Sequence, residues 1–148
     1  MSNIYEKLEQ DHEMASELLE QLTQTTESDP EKRELLFHRL KNEVTLHSEA
    51  EDKTFYAALV EHEEIRDLVL EGREEHEVVT ELLTELDQMS KDNAGWTSKF
   101  SELKDNIDHH VAEEESEMFS KARELLSEEE AEELGRSFEQ EKANVQLM

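Results

Sequence analysis

Along nearly the whole chain the apolar residues return every three or four positions, and only one proline and three glycines interrupt them. That spacing lays an apolar stripe along each of several α-helices and provides no alternation from which to build a strand. The first helix, over about residues 3–25, carries Ile4, Leu8, His12, Ala15, Leu19 and Leu22. The second carries Leu36, Leu40, Val44, His47, Glu51, Phe55 and Ala58, and breaks off near Val60 to Glu64. The third has Ile65, Val69, Gly72, His76, Val79, Leu83, Leu86 and Met89; the fourth has Phe100, Leu103, Ile107, His110, Glu114, Met118, Ala122 and Leu125.

The connections agree with this division. Thr26 to Pro30 is a turn in which Asp29 suits the N-cap and Pro30 the first helical position. Lys91 to Gly95 is a loop, with Trp96 anchoring it ahead of the fourth helix. Ser127 followed by Glu130 reads as a capping box opening a shorter fifth helix with Ala131, Leu134 and Phe138. Four long amphipathic helices with short connections predict an all-α, up-down-up-down bundle over about residues 3–126, with a short C-terminal fifth helix over about 128–144. A length of 148 residues suits a single domain spanning 1–148.

Charge narrows the partners. There are 41 Asp and Glu against 15 Lys and Arg, a net charge of −26. Such a surface disfavours nucleic acid, which requires basic groups, and disfavours an anionic membrane. With no cysteine, disulfides, thiolate metal sites and cysteine nucleophiles are excluded. No stretch is apolar enough to span a bilayer and the first residues lack the pattern of a secretion signal, so the expectation is a cytoplasmic protein.

The polar residues lying on the core stripes are the informative ones. Residues four apart differ by about 40° around a helix and about 6 Å along it, so His47 with Glu51, and His110 with Glu114, can each face one centre. His12 and His76 interrupt otherwise apolar stripes. Counted from the turns at roughly 1.5 Å per residue, all four helices bring these groups to one level in mid-bundle, within about a turn. Four buried imidazoles and two buried carboxylates are costly without a partner. Imidazole and carboxylate suit iron, manganese or zinc, and two glutamates on opposed helices can bridge two ions, each with two histidines. His109 with Glu113 forms an alternative pair, although Ile107, Val111 and Met118 turn His110 nearer the core.

The ordered set Asp11-His12, His47-Ser48-Glu49-Ala50-Glu51, Glu74-Glu75-His76 and His110-Val111-Ala112-Glu113-Glu114, followed by Met118-Phe119, resembles the hemerythrin-like cation-binding domains, called HHE domains. The resemblance implies a non-haem di-iron pair, oxo- or hydroxo-bridged, held by His12, His47, Glu51, His76, His110 and Glu114, with the glutamates bridging. It also implies dioxygen, peroxide or nitric oxide as the small ligand, or a role in sensing or handling iron. Oxygen-carrying hemerythrins have a further histidine one turn from the third-helix ligand and a His-x-x-x-x-Asp on the fourth helix. Here the corresponding places are Gly72 and Thr80, and His110 is followed by Glu114 and Glu115. The lost histidine turns the expectation from oxygen carriage to reactive chemistry, catalase-like peroxide decomposition or nitric oxide handling. The alternatives are a non-catalytic oxygen or iron sensor, a zinc site and a purely structural bundle.

Other residues take blander roles at this stage. His38 and His62 read as surface, Tyr5 as core packing beside the site, Glu43 as a flank residue, and Met14, Met89 and Met118 as core gap-fillers.

Overall fold

A computed structural model describes residues 2–147. Its elements are α1 (Ile4–Thr23), α2 (Pro30–Lys53), a short α3 (Phe55–Leu59), α4 (Arg66–Gln88), α5 (Ala94–Glu113), a π-helical turn (Glu114–Met118), α6 (Phe119–Leu125) and α7 (Glu128–Leu147). The turn and α6 continue α5, so α1, α2, α4 and α5–α6 form the four rods of the bundle, with α1 against α2 and α5, and α4 against α5 and α2. No strand occurs among the described residues.

Local chemistry sets several ends. Asn3 and Glu6 close a capping box at the start of α1, and Ser127 and Glu130 close another before α7, as their spacing predicts. Asp29 does occupy the N-cap of α2, but its carboxylate turns back to the Thr26 N–H at 3.3 Å and does not cap the helix. At the same end of the bundle Arg33 is buried and stacks over Trp96 at 4.4 Å, while its guanidinium donates to the Thr25 and Lys91 carbonyls. Trp96 completes the knot by donating to the Leu86 carbonyl at 3.3 Å.

Three details depart from the sequence expectation. α2 ends at Lys53: Thr54 has ψ of −79° and its hydroxyl donates to the Ala50 carbonyl, so the helix restarts one step out of phase. Phe55, Tyr56 and Leu59 are therefore the buried residues of α3, and Ala58 is only half-buried. The fifth helix starts where expected and runs past the expected end near 144, so that α7 spans 20 residues along the α1–α2 groove. Its Gly135 permits close approach, since a Cβ there would lie 3.0 Å from the Ser2 carbonyl oxygen. Met14 faces solvent, whereas Met118 is buried and Met89 half-buried.

The core falls into two clusters. One fills the end that contains the 24–29 and 89–93 connections, with Leu19, Leu22, Phe37, Leu40, Leu83, Leu86, Trp96 and Leu103. The other fills the opposite end, with Ile4, Leu8, Phe55, Tyr56, Leu59, Val69, Phe119 and Phe138. Each fully buried Leu or Phe contributes roughly 1.5–3 kcal/mol of hydrophobic stabilisation. Between the clusters lies a polar layer.

Candidate metal centre

The polar layer consists of His12, His47, Glu51, His76, His110 and Glu114, all buried, with Glu51 at 0% and Glu114 at 1% exposure. α1, α2, α4 and α5 each supply one histidine, α2 supplies Glu51, and the π-helical turn opens on Glu114. His109 and Glu113 stand outside the layer; the His109 side chain is 68% exposed and pairs with Glu113 at 2.8 Å.

The imidazoles form two pairs. His12 and His47 have ring centroids 5.1 Å apart, and His76 and His110 4.8 Å apart. Each carboxylate faces one member of each pair. Glu51 Oε1 lies 3.5 Å from His47 Nε2 and 3.2 Å from His76 Nε2. Glu114 Oε1 lies 3.2 Å from His12 Nε2, and its Oε2 lies 3.4 Å from His110 Nε2. Ligand atoms of Glu51, His76, His110 and Glu114 lie within 4.8 Å of one another, as do those of His12, His47 and Glu114. Glu114 thus belongs to both groups.

A ring of outer carboxylates orients the histidines. Asp11 on α1 receives the His47 Nδ1–H at 2.8 Å, and Asp52 on α2 receives that of His76 at 2.9 Å. Glu75 on α4 receives that of His110 at 2.6 Å, and Glu115 in the π-helical turn receives that of His12 at 2.7 Å. Every rod thereby holds the histidine of the next, and the circuit closes on α1. A hydrogen bond at Nδ1 fixes the tautomer and points the Nε2 lone pair inward, the arrangement a metal ligand requires.

Six of the inward atoms meet no partner among the described residues. His12, His47 and His76 Nε2, both oxygens of Glu51 and Oε1 of Glu114 are buried without a hydrogen bond; their mutual approaches of 3.2–3.5 Å lack hydrogen-bond angles. Buried polar atoms are almost always satisfied, so six orphans converging on one spot call for a cation. The electrostatics agree. Burial opposes charge on His47, but Glu51 and Asp11 outweigh it and lift the imidazole to about 10. Burial likewise opposes charge on His110, while Glu114 and Glu75 lift it to about 10. Burial also works against the Glu114 carboxylate, yet His110 and His12 hold it well below the usual range. A site that retains protons so firmly on groups facing each other favours any positive charge placed among them, and a divalent cation can replace those protons.

Two neighbours complete the surroundings. A small cavity of about 40 Å³ opens onto the histidines; Ala15, Val44, Val79, Ile107 and Val111 line it together with Asp11, Glu43 and Ser48. From the fifth helix, Phe138 packs on the His47 ring at 5.7 Å, and Lys142 Nζ holds Asp11 at 2.8 and 3.0 Å. α7 therefore supports the His47 side of the layer. Tyr5 packs edge-on to Phe55 and Phe119, in the apolar cluster.

Sequence reasoning assigned no role to Asp52, Lys142 or Tyr56. A signal existed for the outer ring: an acidic residue sits directly beside a layer residue at Asp11, Asp52, Glu75 and Glu115. Which histidine each would grip was not readable, because the grip crosses to the next helix. Tyr56 was hidden by the phase shift at Thr54.

A sequence profile of the hemerythrin HHE cation binding domain matches residues 3–122. A DNA nickase from Nostoc sp. is 27% identical across 97% of this chain and 40% of its own, so the chain spans about two fifths of the length of that curated relative. The crystal structure of a hemerythrin HHE cation binding domain-containing protein from Mycobacterium kansasii is similar at a TM-score of 0.83 and 26% identity, covering 99% of this chain and 91% of that one. With the family pattern running through all four rods, the chain belongs to the hemerythrin HHE cation-binding domain family.

Proposed function

We propose that the layer binds a pair of non-haem iron ions and that the protein carries out redox chemistry on a small ligand, with peroxide decomposition or nitric oxide handling as its specific forms. The observation that carries this reading is the convergence of unpartnered His Nε2 and Glu oxygens in a buried layer. His12 and His47 would hold one ion, His76 and His110 the other, and Glu51 and Glu114 would bridge them, because each carboxylate faces both pairs. Bound iron would supply the electron transfer and an exchangeable coordination position.

The protein's own part is positioning and exclusion. The outer carboxylates fix the imidazoles, and the small cavity, whose lining combines Ala15, Val44, Val79, Ile107 and Val111 with the carboxylates of Asp11 and Glu43, favours a small uncharged ligand over an anion. Peroxide, nitric oxide and dioxygen meet that requirement. A second reading, iron handling without turnover, draws support from the net charge of −26, which concentrates cations near the surface. The same charge speaks against nucleic acid as a partner, whatever the Nostoc relative acts on.

Metal analysis of protein purified without added metal is expected to find about two irons per chain, the number of histidine pairs. Absence of bound metal would sink both readings, and zinc in place of iron would sink the redox one. Oxygen release on adding hydrogen peroxide tests the peroxide-decomposing form: such an enzyme evolves dioxygen with repeated turnover, an iron handler does not.

A further inference from the structure

Tyr56 enters the layer from outside the ligand set. Its ring is fully buried and lies flat on His76, at 5.2 Å between centroids and 10° between planes. Its hydroxyl donates to Glu114 Oε2 and lies 3.5 Å from His110 Nε2. Two atoms offered to the cation on the His76–His110 side thus flank the phenol oxygen. The space it occupies is provided by Gly72, one helical turn before His76, where a Cβ would lie 2.7 Å from the hydroxyl. A glycine inside a helix costs about 1 kcal/mol relative to alanine. Here it leaves room for a phenol pinned by stacking, which has no flexible end to swing aside.

Among the described residues the His12–His47 side has no counterpart. Tyr5, the other tyrosine, sits in the apolar cluster with a hydroxyl that has no partner, under the Arg123 guanidinium at 4.4 Å.

We propose that Tyr56 is a metal ligand, its phenolate oxygen coordinating the cation on the His76–His110 side and making the two metal positions chemically unlike. On binding, the Tyr56 O–H bond breaks, an oxygen lone pair forms the bond to the metal, and the proton leaves to solvent; no electron is transferred. A hard anionic oxygen favours iron(III) over iron(II) at that position. This assignment rests on the metal-centre reading above.

Iron(III) bound to phenolate has a visible charge-transfer band, and excitation into it enhances tyrosine ring vibrations in the Raman spectrum. The iron(III)-loaded protein is expected to show both, and the Raman lines should shift when the protein is made with ring-deuterated tyrosine. Tyr5→Phe should keep the band, and Tyr56→Phe should lose it in the iron that the variant still binds. Gly72→Ala, which keeps the tyrosine but displaces its oxygen, should weaken or move it. Iron bound without a deuterium-sensitive band, or a band that survives in Tyr56→Phe, overturns the proposal while leaving the metal centre standing. A preparation that binds no iron overturns both.

Discussion

The two ends of the bundle are built by different rules. At the end that contains the 24–29 and 89–93 connections the helices are regular, and the core of Leu, Phe and Trp side chains follows the sequence stripes position by position. At the other end two rods depart from α-geometry, α2 at Thr54 and α5 at Glu114–Met118, each within one turn of a glutamate of the layer. Those departures bring Tyr56 inward and let adjacent residues, Glu114 and Glu115, serve the inside and the outer ring together. A π-helical turn is less stable than α-helix, and such turns collect at functional sites. One half of this core thus supplies stability, and the other accepts irregularity to place ligands.

The largest effect should come from the regular end. Trp96→Ala removes a fully buried side chain and the platform beneath Arg33, and should cost about 3–5 kcal/mol by chemical denaturation while metal content stays at the wild-type value. A loss of metal in the folded variant would show that the two ends are not separable.

Removing metal tests the other end. At a free metal concentration a hundredfold above Kd, binding to the folded state alone adds about 3 kcal/mol. Chelation should therefore lower the melting temperature, with the greatest loss of amide protection in α3, the π-helical turn and α6. An unchanged melt after verified metal removal would contradict a metal-supported layer.

The outer ring should give a smaller change. Asp52→Asn keeps the shape but weakens the hold on His76 Nδ1, and should reduce metal affinity by roughly 10- to 100-fold. Lys142→Met should act in the same direction through Asp11, and by less, because Asp11 keeps its bond to His47. Equal affinity in competition with a coloured chelator would remove the ring from the account.

A separate test is the effect of pH on the metal-free protein. His47 and His110 are held at about 10, above the unfolded value near 6.5. Their contribution is fully present below about pH 6.5 and is lost as pH rises through about 10. Metal-free protein should therefore melt at lower temperature as pH rises over that window. Metal-loaded protein should not show this decline, because Nε2 then carries metal in place of a proton; parallel thermal melts in the two states check it.

Most of the bundle was legible because burial repeats with the helix period: Leu8, Leu19, Leu40, Leu83 and Leu103 lie where their spacing puts them. The layer residues were legible for a related reason, since a histidine or glutamate on an apolar stripe breaks the pattern. Ala58 and Met14 failed because a stripe extrapolated through a helix break, or judged by residue type alone, loses its phase. The length of α7 was obscured by its many charges, which face solvent along a groove formed by two other helices.

Four rods, the capping box at Ser127 and the level at which six polar residues meet can be read from the chain alone, because these depend on periodicity and on groups a few residues apart. Ile107, Val111 and Met118 already favour His110 and Glu114 over His109 and Glu113 as the inward pair; the tertiary structure decided that each outer carboxylate serves the next rod. It also decided that Gly72 makes room for Tyr56. Those choices depend on contacts between residues about 16 to 103 positions apart, which packing brings together and no local pattern records.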